Sequence, residues 1–166
     1  MQPQMVMYDE EFHQISAVSE RLAREANAKA VFLVDKNGQQ IASAGPQAPN
    51  LDITSLASLV AGNIAATGGL AKLIGEKEFS ILFHEGEKDN IHISIVAQRV
   101  ILVVIFDERS SLGLVRLRVR RATTELDKIF EDIAAKVEKE KESLQAEFES
   151  PFAEITDEDI DRLFSE

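Results

Sequence analysis

Over residues 51–75 the chain reads LDITSLASLVAGNIAATGGLAKLIG, with apolar positions recurring at steps of three and four. At 3.6 residues per turn, Ile53, Leu56, Leu59, Val60, Ile64, Leu70, Leu73 and Ile74 fall within about half of a helix circumference. The pattern predicts one helix that lays these large side chains on a sheet. A second stripe, Ala57, Ala61, Ala65, Gly68 and Lys72, bordered by Gly62 and Gly69, carries small side chains. Each glycine inside a helix costs roughly 1 kcal/mol relative to alanine. Such glycines need a reason, and close approach of another backbone supplies one. The stripe therefore reads as a contact surface, for the chain's own sheet, for a copy of itself or for a partner. Asp52 is the expected N-cap and Gly75 the expected stop.

The remaining pattern alternates between periods of 3.6 and 2. Residues 8–26 predict a helix, with Phe12, Ile15, Val18, Leu22 and Ala26 on one side and Asp9, Glu10 and Glu11 at its favourable N-terminal end. AKAVFLVD (28–35) and QQIASAG (39–45) flank Asn37-Gly38, a strong short-range signal for a hairpin. Three strands follow, at 79–86, 90–98 and 100–107. In the second of them Ile91, Ile93 and Ile95 alternate with His92 and Ser94, which predicts one wetter face. VILVVIFD has no polar residue before Asp107 and is expected at the centre of the sheet, paired antiparallel with its predecessor. A long helix starts near Ser110 or Ser111 and carries Val115, Val119, Ala122, Leu126, Ile129, Ile133 and Val137 on one side. Beyond it EKEKESLQAEFE reads as a solvated helical extension, broken at Ser150-Pro151. In the final stretch Thr156 is a candidate cap, and Ile160, Leu163 and Phe164 share a side, so a short helix is expected there when docked.

The predicted order of helix, hairpin, helix, three strands and helix gives an α/β protein of the α+β type. Its five-stranded antiparallel sheet carries one helix on one face and two on the other. The expected divisions are a domain at 1–137, a charged helical extension at 138–149 and an acidic segment at 150–166.

Composition narrows the function. The chain has 166 residues and a formal charge of −11, placed unevenly. Residues 131–166 hold 13 acidic and 4 basic side chains, while residues 1–130 hold 16 and 14. A nearly neutral domain with an acidic tail argues against nucleic acid as a partner and points to a basic surface, on a partner or on the domain, as the tail's counterpart. The absence of cysteine removes disulfides and thiolate sites. No unbroken run of eighteen apolar residues is present, so no membrane span is expected. His13, His84 and His92 lack metal-ligand spacing, no phosphate-binding glycine loop occurs, and no nucleophile–base signature is found. No active site, metal or cofactor is expected. Arg109, in the loop before the last helix, reads as a surface or ion-paired residue, with action on a partner's phosphate as the alternative. Arg116, Arg118, Arg120 and Arg121 are expected to scatter around the last helix.

FLVDKNGQ (32–39), TSLASLVAGNIAATGGLAKLIGE (54–76), ILVVIFD (101–107), SLGLVRLR (111–118) and SPFAEI (150–155) together resemble bacterial polarity regulators of the Roadblock family, whose fold is close to longin and profilin-type sheets. The resemblance implies a homodimer in which two central helices lie side by side and the sheets join across the two chains. It implies a Ras-like small GTPase as partner, bound in its GTP state and stimulated to hydrolyse GTP. The family is understood to do this without inserting an arginine. A cytoplasmic protein enriched at a cell pole is implied as well. The matching platform positions are Ala57, Ala61, Ala65, Gly68, Gly69 and Lys72, and Phe152, Ile160, Leu163 and Phe164 are the implied anchors of a docking C-terminal segment. A scaffold that binds a GTPase without activating it and a small-ligand sensor are the alternatives of different class.

Overall fold

The computed structural model describes residues 8–153 together with Arg162 and Phe164. Contacts divide the described residues into two units, one ending at Phe130 and one beginning at Glu131. The elements in order are α1 (Asp9–Glu25), β1 (Ala30–Asp35), β2 (Gln40–Ala44), a single 3-10 turn at Ala48–Asn50, α2 (Ile53–Leu73), β3 (Ile81–Glu85), β4 (Asn90–Val96), β5 (Val100–Phe106) and α3 (Leu112–Ala153).

The strands form one antiparallel sheet in the order β2-β1-β5-β4-β3. The wholly apolar β5 is central and buried along its entire length, as its composition predicts. The β1–β2 hairpin closes through Gly38, whose amide donates to the Asp35 carbonyl at 3.0 Å. Gly38 has a φ of +89°, and a Cβ there would come within 3.3 Å of the Ser58 backbone. Glycine is thus needed both for the turn and for room beneath α2. The β4–β5 turn places Ala97 and Gln98 at φ +52° and +62°, and the Asp127 carboxylate accepts the Ala97 amide at 3.0 Å.

On one face of the sheet, Phe32, Val34, Ile93, Ile101, Val103 and Ile105 pack against Ile53, Ala57 and Val60 of α2. The alternate positions Val31, Leu33, Leu102, Val104 and Phe106 are equally buried on the opposite face. There α1 and the first half of α3 supply Ile15, Val18, Leu22, Val115, Val119, Ala122 and Leu126. Arg21 with Glu125, and Arg118 with Glu25 at 3.5 Å, join those two helices.

Four expectations change. The His92/Ser94 face of β4 is dry: His92 is 1% exposed and Ser94 5%, because helices cover that face of the sheet too. Phe12, expected in the core, is exposed. Helix α3 runs past Ser150-Pro151 to Ala153; proline keeps a helical φ and near a helix end forfeits only the last bonds. Finally, α2 is long and apolar enough to cross a membrane by length and composition, with a mean hydropathy of 1.3 over an 18-residue window. Its inner side, however, sits on the sheet through Ile53, Ala57, Val60 and Ala71.

Candidate functional site

Helix α2 is fixed at both ends by its own sequence. The Asp52 carboxylate accepts the Ser55 hydroxyl at 2.6 Å and the Ser55 amide at 3.1 Å, and these bonds, the hydroxyl first, hold its pKa below the usual carboxylate value. At the far end the Glu76 amide donates to the Ala71 carbonyl at 2.8 Å and the Gly75 amide to the Lys72 carbonyl at 3.3 Å. This pair of bonds, with Gly75 at φ +81°, is a Schellman stop. Lys72 lies in the last turn, where the macrodipole favours a cation.

Between those ends, α2 is apolar around most of its circumference and its own chain covers one side. Leu59 is 72% exposed, Leu70 61% and Leu73 84%. On a 3.6-residue period they share the outer side with Gly62, Ala66 and Gly69, all exposed. Asn63, on the same flank as Leu59 and Leu70, meets His84 of the edge strand β3 at 3.1 Å. The outer face of α2 therefore adjoins a sheet edge that has no neighbouring strand, where Ile81 is also exposed. An apolar helix face beside an open edge is a surface built for another polypeptide.

The sequence-predicted stripe is divided by this geometry. Ala57 is fully buried in the core, and Ala61 packs on its margin. Placing Ala57 on an exposed platform is corrected: it lies in the core cluster with Phe32, Val34 and Val103, on the side of α2 that packs on the sheet. Gly68 is half-buried, whereas Ala65, Gly69 and Lys72 are exposed. A Cβ built on Gly62, Gly68 or Gly69 would meet nothing within 4 Å. Conversely, Leu59, Leu70, Leu73 and Ile74, expected on the sheet, point away from it. The usable signal was that a helix apolar on all sides can bury only one of them within a small domain.

The other candidate chemistry disperses. His84 and His92 lie on opposite faces of the sheet, His84 beside Asn63 and His92 opposite Phe83 in the strand register. Among the described residues no group of three or more His, Asp or Glu gathers. The Arg109 side chain donates to Asp107 at 3.1 Å, which raises its own pKa and lowers that of Asp107. Its loop is tied to the end of α1, where Asn27 donates to the Arg109 carbonyl at 2.8 Å. This is the ion-paired reading of Arg109. Arg116, Arg120 and Arg121, expected to scatter, share the outer side of α3, and only Arg118 turns toward α1. Of the C-terminal anchors, Phe164 is exposed in a helical position; Ile160, Leu163 and the side chain of Phe152 lie outside the described residues.

A family model for the Roadblock/LC7 domain matches residues 15–106. Among solved structures, Myxococcus xanthus MglB is 66% identical, with 77% of this chain and 96% of that chain covered and a TM-score of 0.73. The gliding protein MglB of Thermus thermophilus is 36% identical, covering 80% and 99%, with a TM-score of 0.74. An MglB with a tetrameric arrangement is 35% identical over the same shares, also with a TM-score of 0.74. A search of curated proteins returns no match.

Proposed function

This chain belongs to the Roadblock/LC7 family, on its MglB branch, and from that membership we propose that it is a homodimeric activator of the Ras-like GTPase MglA. In this reading two copies set their α2 helices side by side and join their sheets along β3. The paired helices form a platform for the GTP-bound GTPase, and binding there stimulates hydrolysis. The GTPase's own residues position the attacking water and the phosphate. The regulator contributes shape, so it needs no nucleophile, base or metal of its own. The C-terminal segment, anchored by Phe152, Ile160, Leu163 and Phe164, docks elsewhere on the GTPase. Working in the cytoplasm, such a regulator limits the active GTPase to one end of the cell and so sets polarity.

The observation that carries this reading is the open space around Gly62, Gly68 and Gly69. Within a single chain these glycines weaken α2 and accommodate nothing, so the side chains they lack make room for something outside the chain. The exposed Leu59, Leu70 and Leu73 beside them supply the apolar area that such an encounter buries.

Light scattering coupled to size exclusion tests the assembly. The chain alone is expected to run as a dimer, and to bind MglA loaded with GTP but not with GDP. Leu70→Glu with Leu73→Glu is expected to give folded monomers, because both side chains are exposed in the single chain. A wild-type monomer, or equal binding of both nucleotide states, contradicts the proposal.

A further inference from the structure

The outer side of the first half of α3 combines charge and apolar surface in a way the GTPase reading does not use. On a 3.6-residue period Arg116, Leu117, Arg120, Arg121, Thr124 and Lys128 share one side, opposite Val115, Val119, Ala122 and Leu126. All six are exposed. Among the described residues none of these four cations has an ion-pair partner, whereas Arg118 pairs with Glu25 and Arg21 with Glu125. Like charges four residues apart on a helix repel one another. Leu117 is 58% exposed in their midst. With Arg120, Arg121, Thr124 and Glu125 it lines an open concavity of about 340 Å³.

Such a surface calls for an acidic polypeptide with apolar side chains at intervals. A bilayer is a poorer match. One leucine gives little to insert, Glu125 stands in the lining, and a chain of charge −11 is repelled by anionic lipid. The chain itself contains a fitting sequence. EITDEDIDRLFSE (154–166) has six acidic side chains and one basic one, with Ile160, Leu163 and Phe164 at helical spacing.

We propose that the Arg116–Leu117–Arg120–Arg121 face of α3 receives the acidic segment 154–166 of a second copy of the chain. The inference rests on the proposed pairing of two copies. A pair carries two faces and two segments, and reciprocal exchange occupies all four within a closed two-fold assembly. Docked there, the segment is withheld from any other surface, so the face on α3 stores it and sets how much is free for a GTPase.

The absence of cysteine allows a unique spin label at Ser165→Cys in the full chain. Labelled chain is co-incubated with unlabelled chain enriched in nitrogen-15, so that only contacts between copies register. The expected result is loss of amide signal across residues 116–128 of the enriched copy. Arg120→Glu with Arg121→Glu is expected to restore the signal while light scattering still reports a dimer. About 1 M salt, where the Debye length falls to about 3 Å, should weaken the effect. A dimer with no signal loss at 116–128, or with loss confined to other elements, overturns the inference alone. A monomer in the same sample overturns it together with the pairing. Anionic vesicles that perturb residues 116–128 where the label does not overturn it in favour of a membrane surface.

Discussion

His92 is a polar side chain buried between the sheet and the helices that cover it. It is 1% exposed, and neither ring nitrogen has a hydrogen-bond partner among the described residues. Burial, followed by the nearby Arg116 charge, lowers its pKa below the ordinary value of 6.5. Well above that value the imidazole is neutral whether the chain is folded or unfolded. As pH falls through the ordinary value, the unfolded chain takes up a proton that the folded chain refuses. Stability then drops by up to about 1.4 kcal/mol per pH unit until the lowered folded pKa is reached. Asp52 and Asp107, both held below the ordinary value of 3.8, add their losses only in stronger acid. His92→Leu is expected to raise stability at neutral pH by about 1–3 kcal/mol, by removing an unpaired buried polar group. It should also flatten the profile as pH falls below the ordinary histidine value of 6.5. Urea unfolding at several pH values checks both outcomes; an unchanged slope contradicts the assignment.

At the scale of elements, the order and type of the three α-helices and five strands among the described residues were legible because each carries a clear period and ends on turn chemistry. Asn37-Gly38 marks the hairpin, Asp52 and Gly75 bracket α2, and Ser111 caps α3, its hydroxyl accepting the Leu114 amide at 3.2 Å. The orientation of α2 was not legible, since period alone does not say which of two apolar sides meets the sheet. Size does not decide it either. Ala57 and Ala61 lie inward, where the helix comes close to its own chain, and Leu59, Leu70 and Leu73 lie outward. For β4, alternation of Ile with His and Ser read as a wet face, and the covering helices α1 and α3 made it dry. The account of α2 yields a paired prediction. Gly62→Ala with Gly69→Ala should strengthen the helix by up to about 1 kcal/mol per site, since no atom obstructs either Cβ. The same variant should pair or bind the GTPase more weakly, because the new methyl groups occupy the contact. Thermal unfolding at low protein concentration and light scattering read the two effects separately. A variant that gains stability and keeps full binding shows that the glycines have another role.

At the scale of the whole molecule, charge and chemistry are segregated. The nearly neutral domain offers an apolar helix beside an open sheet edge, and the net negative charge gathers in 131–166. Such a molecule fits a regulator that works by being bound, with the reaction carried out by its partner. Single-turnover phosphate release from GTP-loaded MglA tests that claim most directly. Saturating wild-type protein should accelerate release about 10-fold or more, which corresponds to about 1.4 kcal/mol of barrier. Ala65→Arg with Gly69→Arg, two exposed positions on α2, should abolish the acceleration in a chain that remains folded. No acceleration at saturating wild-type protein, or full acceleration by the folded double variant, contradicts the account.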